Sequence, residues 1–116
     1  MKINNDRYIA SVLNRFAKER EWQQFHTPKN LAMALSVEVA EIVELYQWHK
    51  HSDDVQPDPA KVRAEIADVQ IYLIMLADKL NIDIGKAVLD KIKINAEKYP
   101  VESSRGKSDK YTNLEN

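Results

Sequence analysis

Apolar positions recur along most of this chain in steps of three and four, the period of amphipathic helices. One such segment runs from about Asp6 to Glu21, with Tyr8 or Ile9, Val12 or Leu13, and Phe16 predicted on its inner face. A second reads Leu31, Leu35, Glu38, Ile42, Leu45 and extends to about Trp48. A third reads Val62, Glu65, Val69, Tyr72 or Leu73, Leu76, Leu80. The fourth ends near Tyr99, because Pro100 disfavours helical backbone in the residue before it. Starts are marked by polar caps followed by proline or a helix-forming run: Thr27 before Pro28, Asp58 before Pro59, and Asp83. Trp22 to Thr27 and His49 to Asp58 read as loops, and the polar tail from Val101 is expected to order only by docking or on a ligand.

The period is broken in an informative way. Glu38 and Glu65 occupy stripe positions that should carry Leu or Val, and each has a second acid three residues on, Glu41 and Asp68. An i,i+3 pair lies on one side of its helix. Acids at this spacing are common on solvated surfaces, but two pairs that both interrupt an apolar stripe are harder to explain that way. Four carboxylates converging from two helices repel, and a divalent cation relieves the repulsion. The alternative is interhelical ion pairing in a non-catalytic oligomerisation or regulatory module. That needs facing bases, and the second helix offers only Lys29 and Lys50 near its ends.

Composition sets the limits. At 116 residues the length suits one domain, spanning 1–116 with a tail from about 101. Only 2 Gly and 4 Pro, among many strong helix formers, predict an all-α fold, and four helices with short connections predict a bundle. No Cys is present, which excludes disulfides and thiolate metal sites. No apolar run approaches the ~20 residues of a membrane span, so no membrane partner is expected. The N-terminal MKINNDRYIASVLNRF lacks a signal-peptide hydrophobic region, which predicts a cytoplasmic chain. A net charge of -1 gives no general reason to bind nucleic acid. The third helix is apolar nearly all round from Val69 to Ala77, so a homo-oligomer is the expectation.

Ligand chemistry narrows the ion. Carboxylates without imidazole or thiolate suit Mg²⁺, with Mn²⁺ as a substitute. A di-iron bundle would need Glu-x-x-His, whereas here the residues three after Glu38 and Glu65 are Glu41 and Asp68. Magnesium on a carboxylate cluster commonly bridges to phosphates. Lys91, Asn95 and Lys98 on the fourth helix, then Arg105, Lys107 and Lys110, are candidate phosphate partners, although any one of them is equally an ordinary surface charge. Trp22, Phe25, His26 and Trp48 are candidates for stacking on a base, against the alternative of core or interface packing. Acids, bases and aromatics together suggest a nucleotide enzyme.

The motifs carry a family resemblance. Glu21-Trp22-Gln23-Gln24-Phe25-His26-Thr27-Pro28-Lys29-Asn30-Leu31, then Glu38-x-x-Glu41-x-x-Glu44-x-x-Gln47-Trp48, resemble the MazG-like nucleotide pyrophosphohydrolases. The small single-domain branch of that family acting on dCTP is the nearest match. Glu65-x-x-Asp68-Val69-x-x-Tyr72-Leu73 and Lys91-x-x-x-Asn95-x-x-Lys98-Tyr99-Pro100 continue the resemblance, which runs from about Phe16 to Tyr111. It implies a four-helix MazG-like bundle, a homodimer or homotetramer, and Mg²⁺-dependent hydrolysis of a (d)NTP to (d)NMP and pyrophosphate. It also implies metal ligation by Glu38, Glu41, Glu65 and Asp68, with Glu41 and Glu38 catalytic. Substrate contacts would come from Trp22, His26, Trp48, Tyr72, Lys91, Asn95, Lys98 and Tyr99. The expected role is nucleotide-pool cleaning with a preference for deoxynucleotides such as dCTP. Hydrolysis of dUTP or phosphoribosyl-ATP on a related helical fold is the alternative within the enzyme class.

Overall fold

A computed structural model describes residues 5–47 and 56–106. The described residues are helical: α1 (Asn5–Glu19), a 3₁₀ turn (Gln23–Phe25), α2 (Pro28–Tyr46), α3 (Pro59–Lys79), α4 (Ile84–Lys98) and the one-turn α5 (Val101–Ser104). No strand occurs among them. The three caps expected from sequence all form. Thr27 Oγ1 accepts from Asn30 N at 3.2 Å, Asp58 Oδ1 from Ala60 N at 3.0 Å, and Asp83 Oδ1 from Lys86 N at 3.1 Å. Each satisfies an amide that the first helical turn leaves unpaired.

Two helices end in the same way, and in α1 this shortens the expected helix. α1 stops at Glu19, short of Glu21, in a turn where Trp22 N donates to Ala17 O at 2.9 Å and Glu21 N to Lys18 O at 3.1 Å. Glu21 adopts φ 56°. After α3 the same pair of bonds runs from Ile82 N to Ala77 O and from Asn81 N to Asp78 O, with Asn81 at φ 55°. Both are Schellman motifs, in which a left-handed residue closes the helix. Glycine is the usual occupant; here Glu and Asn stand in its place.

The chain divides into two compact units, Met1–Ile82 and Asp83–Asn116. In the first, α2 packs along α3 and α1 crosses onto α3. Its buried residues are Ala10 and Ala17 of α1, Leu31 of α2, and Ile74 and Ala77 of α3. Small residues carry the inner face of α1, flanked by half-buried Ile9 and Leu13. Tyr8, Val12 and Phe16 are exposed, so the expectation that Phe16 faces the core is corrected. Alanines at positions 10 and 17 take the buried places of α1, and its larger apolar side chains lie on its flanks and outer side. In the second unit α4 ends where Tyr99 N donates to Asn95 O at 2.8 Å, and the residues after Pro100 form α5 rather than an extended tail.

Candidate metal centre

The α2–α3 pairing sets the two acid pairs against each other. Ligand oxygens of Glu38, Glu65 and Asp68 lie within 4.8 Å of one another, all on half-buried side chains. Glu41 joins them through its carboxyl group, which is within hydrogen-bonding reach of both Glu38 and Glu65 when a proton is present. With all four ionised no donor is available: Glu38 Oε2 and Glu65 Oε2 are buried and make no hydrogen bond. No ion pair to Lys or Arg is made by any of the four among the described residues.

Repulsion of this kind has a titration signature. Hydrogen bonding to Glu41, then burial, pushes the Glu65 carboxyl up to about 7. Burial, then the Glu41 carboxyl, raises Glu38 as well. Without a cation the Glu65 carboxyl therefore keeps its proton to higher pH than an isolated carboxyl does. Two orphaned buried oxygens and an all-carboxylate donor set are what a hard divalent cation fits. Glu38, Glu65 and Asp68 could hold one together.

Other sequence candidates fall at different distances from this group. On α3 the steps Glu65, Asp68, Tyr72, Met75, Lys79 follow one face. Half-buried Tyr72 lies one turn from Asp68, and Met75 about 10 Å along the axis at ~1.5 Å per residue. There a small cavity of about 10 Å³ is lined by Asn14, Gln23, His26, Met75, Asp78 and Lys79, among others. It places His26 at the far end of the acidic face. Burial, then the Lys79 charge, holds the His26 imidazole below its ordinary 6.5. Sequence reasoning missed Asn14, whose Nδ2 donates to Asp78 Oδ2 at 3.1 Å across 64 residues of chain. Nothing in a linear reading signals a pair so far apart.

Trp22 is exposed beside the Phe16 ring. Trp48 lies outside the described residues, as do Lys107 and Lys110. In the second unit Lys91 and Asn95 are exposed on one face of α4 with half-buried Lys98, and Tyr99 follows at its end.

The described residues form an all-α protein whose α2–α3 pairing gathers carboxylates that could hold a metal ion. The chain belongs to the MazG-like family, whose profile matches residues 33–114. It is 44% identical over 114 residues to dCTP pyrophosphatase 1 of Rattus norvegicus and to that of Homo sapiens, covering 91% of this chain. The chain spans 65% of the length of each of these relatives, less than two thirds. A crystal structure of a pyrophosphatase from Archaeoglobus fulgidus superposes with a TM-score of 0.79 at 38% identity, covering 86% of this chain and 96% of that one.

Proposed function

We propose that this protein is a nucleoside triphosphate pyrophosphohydrolase that converts (d)NTP to (d)NMP and pyrophosphate, with Mg²⁺ at the acidic cluster and dCTP among its preferred substrates. The observation that carries this reading is the cluster of Glu38, Glu65 and Asp68, with buried carboxylate oxygens that no protein group satisfies. The pyrophosphatase names of its relatives supply the reaction class. The family profile runs over residues 33–114, from within the first compact unit into the second, which supports one functional domain over that range.

When bound, the cation neutralises charge on phosphate oxygens and lowers the pKa of a coordinated water. Glu38, Glu65 and Asp68 would hold it. Glu41, whose carboxyl reaches Glu38 and Glu65, would join them as a fourth ligand and is the candidate acceptor of the proton from the water that attacks the α-phosphorus. Trp22, His26, Tyr72 and Trp48 would bind base and sugar. Lys91, Asn95, Lys98 and Tyr99 would receive the distal phosphates, the first three sharing one face of α4 at steps of four and three.

A homodimer or homotetramer accompanies this reading. Val39, Val43 and Tyr46 form an exposed stripe at i,i+4,i+7 on α2, and Ile66 is 55% exposed on α3. Apolar faces of this extent are unusual on a monomer surface. Sedimentation at micromolar concentration should give at least a dimer; a folded, active monomer contradicts it. The pyrophosphatase names of its relatives weigh against the non-catalytic alternative. No helix is long and apolar enough to cross a membrane among the described residues.

A panel of ribo- and deoxynucleoside triphosphates with Mg²⁺ or Mn²⁺, scored for pyrophosphate against orthophosphate, tests the proposal. Pyrophosphate release that Glu38→Gln abolishes without loss of helical circular dichroism supports it. Orthophosphate release, or no turnover on any triphosphate, contradicts it.

A further inference from the structure

Trp22 is 46% exposed, yet its position is heavily determined. Its backbone amide closes the Schellman turn on Ala17 O, one residue beyond the left-handed Glu21. Its ring meets Phe16 edge-to-face, with centroids 5.7 Å apart and planes at 67°. Phe16 is held in turn: the Arg20 guanidinium lies 3.6 Å from its ring centroid, while Arg20 Nη1 donates to Phe16 O at 3.0 Å.

Core formation does not explain this arrangement. Phe16 is 45% exposed, and the inner face of α1 is built from Ala10 and Ala17 instead. A Schellman turn does favour an apolar contact between the residues occupying the places of Trp22 and Phe16. Any aliphatic side chain meets that need. An aromatic ring fixed by a cation on its face adds something an aliphatic cannot, a preferred angle for the neighbouring ring. Angle matters to a stacking platform, because base and indole must lie parallel to gain their contact.

We infer that Phe16 and Arg20 are positioning residues that set the plane of Trp22 for stacking on the nucleobase. This role rests on the proposal that Trp22 contacts the base. Neither Phe16 nor Arg20 touches the substrate; both act through the indole. Phe16→Leu keeps an apolar contact for the turn but removes the ring, Phe16→Tyr restores the ring, and Arg20→Met removes the cation at similar length.

The test measures KM and kcat for dCTP with Mg²⁺ in each variant, alone and combined with Trp22→Ala. Losing a base–aromatic stack outright costs roughly fivefold to a hundredfold in affinity, so misdirecting it should cost a fraction of that, about threefold to tenfold. Phe16→Leu is expected to raise KM by that factor at unchanged kcat, with the variant still folded by circular dichroism. Phe16→Tyr should behave as wild type, and Arg20→Met should raise KM less. Fluorotryptophan labelling, with the Trp22 resonance assigned by Trp22→Phe, should show that resonance shifted or broadened by Phe16→Leu and restored by Phe16→Tyr. In the Trp22→Ala background neither Phe16→Leu nor Arg20→Met should change KM further. A rise in KM that persists in that background overturns the positioning role, as does an unchanged KM in both variants while Trp22→Ala alone raises it. If Phe16→Leu does not fold, Arg20→Met decides by the same criteria. An unchanged KM in Trp22→Ala itself refutes base stacking by Trp22, a separate failure.

Discussion

The raised Glu65 carboxyl makes cation binding a proton-release reaction with a calculable pH dependence. Glu65 titrates near 7 in the absence of metal, against an ordinary 4.5. The folded state thus holds a proton that the unfolded chain has lost between those values. Metal-free stability should be greatest below pH 4.5 as far as this group is concerned, and should decline as pH rises through 7. Cation binding runs the other way, since the ligand must be deprotonated. For one site titrating at 7, the protonated fraction falls from about nine-tenths at pH 6 to about one-tenth at pH 8, so apparent affinity should rise roughly tenfold across that interval. Calorimetric titration of the protein with Mg²⁺ in buffers of different ionisation enthalpy measures both the affinity and the protons released. Glu41→Gln alters the largest cause of the shift, the Glu41 carboxyl hydrogen-bonded to Glu65, and removes its charge. It should weaken binding at pH 8 and shrink the difference between pH 6 and pH 8, with burial and Glu38 maintaining the remainder. Affinity independent of pH in the wild type, with no proton released near neutrality, would refute the carboxylate cluster as the binding site.

Two further outcomes follow from the geometry. Glu21 occupies a left-handed conformation that costs a side-chain-bearing residue about 1 kcal/mol, whereas Asn tolerates it. Glu21→Gly should therefore raise the melting temperature by a few degrees, at roughly 4–8 °C per kcal/mol for a chain of this size, while Asn81→Gly should leave it nearly unchanged in the same thermal scan. The His26 imidazole should titrate below 6.5 by proton NMR, so its neutral form favours the fold above that pH and this contribution is lost as pH falls through the lowered value. Lys79→Gln should bring the midpoint only part of the way back, because burial is the larger cause; full recovery would contradict that ranking.

Helix starts and the acidic centre were legible in the sequence because each leaves a local signature. Thr27–Pro28, Asp58–Pro59 and Asp83 announce themselves by cap chemistry, and Glu38 and Glu65 by interrupting an apolar period. The end of α1 was less legible, because the usual signal is a glycine and at Glu21 the chain forms a Schellman turn without one. The inner face of α1 was misread at Phe16 because periodicity favours the largest apolar side chains, whereas Ala10 and Ala17 take the buried places. The Asn14–Asp78 bond depends on how helices far apart in sequence meet, which no local pattern encodes.

In the proposed reaction water attacks the α-phosphorus and the β,γ unit leaves whole. Hydrolysis of a nucleoside triphosphate in ¹⁸O-labelled water, with products separated and weighed by mass spectrometry, tests it directly. Attack at the α-phosphorus puts one labelled oxygen in the nucleoside monophosphate and leaves the pyrophosphate unlabelled. Label in the pyrophosphate, or orthophosphate as the released product, would contradict it.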